Sequence, residues 1–317
     1  MTDQRVICMG VHILDVLARP IEHIPEGQRG ALVEEIKITA AGSAAGTAVT
    51  LAKLGAEVFS AGAIGSDAAG EMLLALLAQQ GIDTSLLLRR TDCQTSASVL
   101  PIRPDGSHPG WHVVGANASY TSADAPWDAI KRATHLHLGG PEFMGGEEAA
   151  KILSFAREHG VVTSADILAP GEQAAQIADW IGPALEHLDY LLPNDDQVLA
   201  LTGESDVATA ASALLARGIG CVAATCGPDG AVIADRDGVQ TVPAFKVDVV
   251  DTTGCGDSFS AGFLRGLALG RSRRACAVLG CTVASLVVQG LGSDYGDFDL
   301  EAADAFARKT PATALHQ

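Results

Sequence analysis

The sequence predicts an α/β fold: a doubly wound, mostly parallel sheet flanked by helices, with a small β-sheet attached to it. From residue 133 onward, short apolar strands alternate with helical segments, which is the rhythm of parallel βαβ units. Two earlier segments, about 11–40 and 94–117, break this rhythm and have β-type patterns. The composition agrees, since 48% of the 317 residues are hydrophobic, 4% are aromatic and 35 are glycine. Such values are typical of a globular α/β protein.

The first half of the chain combines both types of structure. Residues 31–40, "ALVEEIKITA", alternate as in a half-exposed strand. Residues 41–55 predict a turn followed by a helix that ends at Gly55, and a second helix is closed by Gly81. Residues 94–117 predict a hairpin around Pro104-Asp105-Gly106.

The second half predicts regular alternation. The predicted strands are 133–140, 161–168, 188–194 and 221–227; the predicted helices are 146–160, 174–187, 195–203 and 207–218; a hairpin with a turn at Asp237-Gly238 follows. We expect one domain, residues 1–308, with the segments 11–40 and 94–117 inserted as the small sheet. Residues 309–317 predict a mobile tail.

Four short segments are expected to meet at one crevice, because ligands bind beyond the carboxyl ends of parallel strands. They are "MGVHILD" (9–15), "LLPNDDQ" (191–197), "TCGPDG" (225–230) and "DTTGCGD" (251–257). The small sheet would cover this crevice as a lid.

Charge and cysteine usage exclude several classes of function. The 21 basic and 38 acidic residues give a net charge of -17, which disfavours nucleic acid and anionic membranes as partners. The seven cysteines form no C-x-x-C pair, so we expect reduced thiols and no zinc site. No apolar stretch reaches the ~18 residues of a membrane span, and no signal peptide is apparent. These features favour a cytoplasmic protein.

Residues 249–270, "VVDTTGCGDSFSAGFLRGLALG", predict an anion site at the start of a helix. Glycines at a strand-to-helix turn let backbone N–H groups converge, and the helix adds a partial positive charge. Asp257 there would either cap the helix or act as a base. Since a helix start lowers the pKa of an acid, we expect Asp257 to be ionised. Cys255 would be either a reactive thiol of lowered pKa or a buried packing residue.

The segment "DTTGCGDSFSAGFLRGL" resembles the C-terminal signature of the ribokinase-like (PfkB) carbohydrate kinase family, D-T-T-G-A-G-D-x-F, with Cys255 in place of alanine. Residues 41–85 resemble its N-terminal signature, and "GAN" (115–117) and "TCGPDG" lie where such kinases have similar segments. The resemblance spans roughly residues 5–300.

The resemblance implies a ribokinase-like fold and an ATP-dependent kinase. Asp257 would accept the proton of a substrate hydroxyl, and the amides of Gly254, Cys255 and Gly256 would stabilise the transferring phosphoryl group. Mg²⁺ would bridge the phosphates. The acceptor would be a small polyhydroxy molecule, first a sugar and alternatively a nucleoside. A ligand-binding regulator that has lost catalysis is a third alternative.

The resemblance also implies further site residues. Asp15 and Gly42 would bind the acceptor together with Asp257. The ATP-binding residues would be Asn194, Thr225, Gly227, Gly230, Gly254 and Gly256. Asp251 and Thr253 match positions that supply oxygens to a monovalent cation such as K⁺, and Ser293 would complete that site. The exposed edges of the lid strands suggest a homodimer.

Four positions depart from the family pattern. Gly46 replaces an expected asparagine, Ala41 a glycine, and Gln197 the glutamate of N-x-x-E. Asp166 is present, but the Pro-Asn-x-Arg that often follows it is missing. The absent arginine disfavours a phosphorylated sugar as the acceptor.

Overall fold

The computed structural model of the chain describes residues 4–168 and 171–313, without the side chains of residues 171–175. The strands are β1 Arg5–Gly10, β2 Ile13–Arg19, β3 Glu35–Ala41, β4 Glu57–Gly65, β5 Asp83–Arg90, β6 Ala97–Pro101, β7 Trp111–Val113, β8 His135–Gly139, β9 Val162–Asp166, β10 Tyr190–Leu191, β11 Cys221–Thr225, β12 Ala231–Asp235 and β13 Gly238–Val242. The helices are α1 Ser43–Lys53, α2 Ala68–Gln79, α3 Trp127–Ile130, α4 Gly146–Glu158, α5 Gly171–Trp180, α6 Gly182–Leu185, α7 Asp195–Thr202, α8 Val207–Leu215, α9 Cys255–Ala268, α10 Arg273–Val287 and α11 Leu300–Lys309.

Nine strands form the large sheet, in the order β13-β12-β11-β10-β9-β8-β1-β4-β5. The pairs from β11 to β5 are parallel, and β12 pairs antiparallel with both β11 and β13. The strand order reverses between β1 and β8, which is the position where doubly wound sheets bind ligands. The predicted fold class is confirmed.

Four strands form the second sheet, here called the small sheet, in the order β3-β2-β6-β7. β2 pairs antiparallel with β3 and parallel with β6, and β7 returns antiparallel to β6. The turn between β6 and β7 is closed by the bond from Arg103 N to Ser107 O, 2.9 Å. The small sheet therefore combines the two early segments that broke the βαβ rhythm.

Helices cover both faces of the large sheet. In β1, Val6 and Cys8 pack with α1, α2, α9 and α10, whereas Ile7 and Met9 pack with the helices from α4 to α8. This alternation follows from the two-residue period of a strand. A strand buried on both faces needs apolar side chains throughout, which explains the continuous run at residues 6–9.

Helix α9 is held deep in the core by its apolar stripe. Phe259 and Phe263 are fully buried, and their four-residue spacing places both on one face. Thr50 Oγ1 and Ser258 Oγ lie 3.2 Å apart between α1 and α9, and Thr47 Oγ1 donates to Asp257 O. The start of α9 is thereby fixed against α1, and both helices begin at the predicted crevice.

The first residues after α11 contact the domain. Lys246 N donates to Pro311 O and Thr313 N donates to Ala244 O, at 3.0 and 2.8 Å. Residues 314–317 of the predicted mobile tail lie outside the described residues, so for them mobility stays a prediction. Over 4–168 and 171–313, no single helix is long and apolar enough to cross a membrane; α7 and α8 meet that test only as a pair bent by 60°.

Candidate active site

A cavity of about 610 Å³, the first cavity, lies between the small sheet and the carboxyl ends of the strands of the large sheet. Asp15 and Ser98 line it from the small sheet, Asp166 from the end of β9, and Asp257 from α9. The four segments predicted to meet at one crevice all contribute residues to this cavity, which confirms the topological argument.

A second cavity of about 420 Å³ lies beside the first, against α9, α10, the turn before β12 and the segment after β13. Its walls are mostly apolar and include Phe245, Phe259 and Val288. Thr225, Thr252 and Gly256 line both cavities. The two spaces therefore meet at the start of α9, and Asp257 lines only the first.

The turn before α9 is built on Gly254. Its φ of 75° is left-handed, and a Cβ there would lie 2.4 Å from Ser293 Cβ, so only glycine fits. Gly254 is the residue that caps the helix start, and Asp257 is the third helical residue. No side chain caps this helix, so capping by Asp257 was wrong and its carboxylate is available to the cavity.

The protonation of Asp257 also differs from the expectation. Desolvation, with the negative charge of Asp15 as a second cause, raises the pKa of Asp257 to about 7. The helix start does not outweigh these two effects, so the predicted lowering was wrong. A carboxyl that titrates near neutrality is suited to exchange a proton with a substrate.

Gly46 explains how the Asp257 carboxylate fits beside α1. A Cβ at position 46 would lie 2.1 Å from Asp257 Oδ2 and 2.9 Å from Asp257 Cβ. Glycine in a helix interior costs about 1 kcal/mol relative to alanine, so its presence in α1 needs a reason. The reason is the close approach of Asp257, which occupies the volume that the expected asparagine would need.

The small sheet supplies polar groups to the first cavity. Asp15 is 5% exposed, and its Oδ1 has no hydrogen-bond partner among the described residues. Burial raises the pKa of Asp15, although a hydrogen bond with Ser98 opposes the shift. Ser98 Oγ also lies 2.7 Å from His112 Nδ1. His108 and His112 line the cavity, although the predicted hairpin favoured solvated positions for both over contact with a substrate.

Two more acids complete this wall. Asp166 ends β9 and is 7% exposed; burial raises its pKa well above the usual range, and Asp257 and Glu142 raise it further. Glu142 Oε1 accepts from Leu168 N at 2.7 Å. Glu142 was not predicted, since its segment, "GGPEFMGG", has no motif that separates it from an ordinary loop.

Gln197 is explained by its hydrogen bonds. Its Oε1 accepts from Asn194 N at 2.9 Å, and Asn194 Oδ1 accepts from Gln197 N at 2.8 Å, which is a capping box. Its Nε2 donates to Ile167 O at 2.7 Å. An ionised glutamate could not donate this bond, so the amide suits the site that it occupies.

The segment 225–230 forms a tight turn beside the second cavity. Cys226 N donates to Gly230 O at 2.7 Å, and Gly227 and Gly230 have positive φ values of 52° and 92°. Thr225, Gly227 and Gly230 line the second cavity, as does Lys246. Asn194 lines the first cavity, so the predicted ATP residues divide between the two spaces.

Asp251 holds together the loops beneath the start of α9. It is fully buried, its Oδ1 accepts from Thr253 N and Oγ1, and its Oδ2 accepts from Gly292 N at 2.8 Å. Ser293 Oγ donates to Ala40 O in β3. Among the residues that the structure describes, no three His, Cys, Asp or Glu side chains are grouped so that they could hold a metal ion.

Cys255 is not a reactive thiol of lowered pKa. Desolvation, together with the nearby charges of Asp251 and Asp257, raises its pKa to about 12. Its Sγ lies 3.9 Å from Ala284 O and faces the second cavity. The interpretation as a packing residue therefore fits the structure, and the seven cysteines are all free.

Two adjoining cavities that meet at an amide-lined helix start, next to a carboxyl of near-neutral pKa, define a group-transfer enzyme with two substrates. The family model described as pfkB family carbohydrate kinase matches residues 3–298, and the chain belongs to this family. The protein is thus a phosphotransferase that acts on an alcohol group. This assignment speaks against the alternative of a ligand-binding regulator that has lost catalysis.

Individual relatives support this assignment. A nucleoside kinase of Methanothermobacter thermautotrophicus is 27% identical over 92% of this chain and 91% of its own length. An ATP-dependent ribose-1-phosphate kinase of Halopiger xanaduensis is 31% identical over 82% and 83%. A proposed ribokinase II from E. coli, solved with ATP and Mg²⁺, has a TM-score of 0.85 at 20% identity and covers 96% and 99% of the two chains, which shows the fold.

Proposed function

We propose that the protein transfers the γ-phosphate of ATP to a hydroxyl of a small polyhydroxy acceptor, in the first place a sugar. The observation that supports this most directly is that Gly256 lines both cavities while Asp257 lines only the first. An acceptor in the first cavity and a nucleotide in the second would meet at the amides of residues 254–256.

The residues at the start of α9 divide the chemistry between them. Asp257 accepts the proton of the attacking hydroxyl, since its pKa of about 7 leaves a large fraction ionised at neutral pH. The N–H groups of Gly254, Cys255 and Gly256 stabilise negative charge on the transferring group. Asp15, with its unpartnered Oδ1, accepts a hydrogen bond from another acceptor hydroxyl, and the Gly42 backbone lies alongside.

The nucleotide would bind in the second cavity. The turn at Thr225, Gly227 and Gly230 offers backbone groups to it, and Asn194 faces the phosphates from the first cavity. Mg²⁺ neutralises phosphate charge and is held mainly by phosphates and water, with one or two protein carboxylates. Asp166, a carboxylate in the wall of the first cavity, fits that need.

A nucleoside is the second candidate acceptor. The first cavity also has apolar side chains, among them Ile13, Leu100 and Phe143, which could cover the face of a base. The relative described as a nucleoside kinase supports the same choice.

Activation by K⁺ stays a prediction for the site at Asp251, Thr253 and Ser293. The hydrogen bonds of Asp251 already fix the loops that such a cation would stabilise. Comparing ADP release in K⁺ and Na⁺ buffers of equal ionic strength tests it, and equal rates would contradict it.

A homodimer through the small sheet is also proposed. Its outer face presents Ile38, Val99 and Trp111 in register, exposed by 42%, 51% and 55%. Such an apolar row is suited to a second copy of the same sheet. We expect Trp111→Lys to lower the mass seen by sedimentation; a wild-type monomer would contradict the proposal.

The catalytic role of Asp257 is tested by Asp257→Asn. We expect kcat to fall by ~10²–10⁴-fold while the far-UV spectrum and Tm remain near wild type, because the amide keeps the shape but cannot accept the proton. ADP release is measured over panels of free sugars and nucleosides. Asp237→Asn, on the exposed turn between β12 and β13, is the matched control. Unchanged turnover in Asp257→Asn would remove the proposed base.

A further inference from the structure

The first cavity lacks fixed positive charge. Among the described residues that line it there is no lysine and no arginine. The sequence also has neither residue at positions 169–175, which follow Leu168 in the chain. The space in which the acceptor would bind therefore has no lysine or arginine among its described wall residues.

The same cavity is lined by four carboxyl groups, which are those of Asp15, Glu142, Asp166 and Asp257. Asp15 and Asp166 are almost fully buried, at 5% and 7% exposure. Their mutual repulsion is visible in the pKa values, since Asp15 raises the pKa of Asp257, and Asp257 and Glu142 raise that of Asp166. A further negative charge in this space would lie beside acids that already disfavour one another's ionisation, with no lysine or arginine among the described wall residues to offset it.

Two histidines are the remaining side chains of the wall that can carry positive charge. His112 Nδ1 already pairs with Ser98 Oγ at 2.7 Å, and both His108 and His112 act on the charge of Asp15. Their positive charge, when present, therefore offsets an acid of the wall itself.

The second cavity, in contrast, has a lysine in its wall. Lys246 lines it, and its border with the first cavity is the start of α9, where backbone N–H groups attract anions. Negative charge is thus accommodated on the nucleotide side and at the point of transfer.

We infer that the acceptor carries no phosphate or carboxylate group, so the protein phosphorylates free, uncharged polyhydroxy compounds and rejects those already phosphorylated. This inference rests on the proposed kinase function and narrows its substrate class. It separates this chain from the ribose-1-phosphate kinase to which it is 31% identical.

The test compares two acceptor panels by ADP release with the full chain, ATP and Mg²⁺. The uncharged panel holds free sugars and nucleosides; the anionic panel holds sugar phosphates with free hydroxyls, among them ribose 1-phosphate, and sugar acids. We expect kcat/KM of the best uncharged acceptor to exceed that of the best anionic one by at least ~100-fold. Equal or better turnover of an anionic acceptor overturns the inference and leaves the proposed function intact.

Two further measurements separate the alternatives. If no acceptor is phosphorylated, the proposed function fails, and a thermal shift with the anionic panel but not the uncharged one would overturn the inference as well. Turnover of a sugar phosphate that is lost in His108→Ala/His112→Ala would show that the histidines bind phosphate, which also overturns it.

A charge variant examines the cause of the preference. Leu168 lines the first cavity and is 37% exposed, so Leu168→Arg adds a cation without burying it completely. We expect the preference for uncharged acceptors to shrink by ~10-fold. Val162→Arg, at the opposite end of β9 and 36% exposed, is the control and should leave the preference unchanged. An unchanged preference in Leu168→Arg would contradict charge as its cause.

Discussion

The two cavities at the start of α9 share three residues but differ in chemistry. The first holds four carboxyl groups and the polar row Asp15–Ser98–His112, whereas the second is walled by Phe245, Phe259 and Val288. An apolar wall binds a flat ring by burial, while polar groups position hydroxyls through hydrogen bonds. In the proposed function, the second cavity would bind the nucleotide and the first would recognise the acceptor.

The acidic residues of the first cavity help to explain the raised pKa of Asp257. The base lies on the acid-rich side, where burial and Asp15 raise its pKa, although it also belongs to the first turn of a helix. The N–H groups of the helix start lie at the border between the cavities. In the proposed function, this one helix end would bind the transferring phosphoryl group and also carry Asp257 as a base of near-neutral pKa.

After the loss of the base itself in Asp257→Asn, the largest effect is expected from Gly46→Asn, which would restore the family's usual residue. Because a Cβ at 46 would lie 2.1 Å from Asp257 Oδ2, the carboxylate must move. We expect kcat to fall by ~10²-fold, as for a displacement of about 1 Å, with the KM for ATP unchanged. Steady-state kinetics with ATP varied at saturating acceptor measure both.

The matched control for this variant is Gly182→Ala. A Cβ at position 182 would meet only the end of the Arg217 side chain, at 3.2 Å, and Gly182 lines neither cavity. It should retain the wild-type kcat. If Gly46→Asn also kept the wild-type kcat, the packing of Asp257 on α1 would not govern the base.

A smaller effect is expected from filling the second cavity. Ala284 lines it from α10, and Ala284→Leu would place a larger side chain in the space proposed for the nucleotide. We expect the KM for ATP to rise by ~10-fold, because the larger side chain would weaken the binding of the nucleotide by ~1–2 kcal/mol. The KM for the acceptor should change little, since Ala284 does not line the first cavity. Ala275→Leu on the same helix is the control. A rise in the KM of the acceptor alone would reverse the assignment of the two cavities.

The smallest effect is a shift of the pH profile. As Asp257 must be ionised to act, kcat/KM for the acceptor should rise with pH and level off above about 7. The charge of Asp15 raises the pKa of Asp257, so Asp15→Asn should move the midpoint to lower pH whatever its effect on KM. A midpoint that stays or moves upward would contradict the coupling between these two acids.

The sequence predicted the fold and the segments that line the first cavity, because both depend on local patterns. The βαβ rhythm, the glycine turn at 254–256 and the apolar stripe of α9 are visible in consecutive residues. Ser98 and Glu142 were missed, and solvated positions were favoured for His108 and His112. These residues reach the cavity only through the pairing of β6 with β2 and β7, or through a loop after β8. No short motif encodes such distant neighbours.

The protonation states could not be predicted for the same reason. The helix start next to Asp257 is a local feature, but the burial and the charge of Asp15 that outweigh it come from a residue 242 positions earlier in the chain. Similarly, the sequence shows Gly46 only as a departure from the family pattern. The reason for the glycine is its close approach to Asp257, a contact between distant parts of the chain.

The contact between Ser293 and its two neighbours has a mechanical consequence. Ser293 Oγ holds Ala40 O at the end of β3, and its Cβ lies against Gly254. Lys37 on the same strand donates to Leu291 O at 2.8 Å and pairs with Asp294 at 2.6 Å. One edge of the small sheet is thereby fastened to the loop that packs against the turn at Gly254. A displacement of β3 would therefore be transmitted through Ser293 to the turn whose amides are proposed to bind the phosphoryl group.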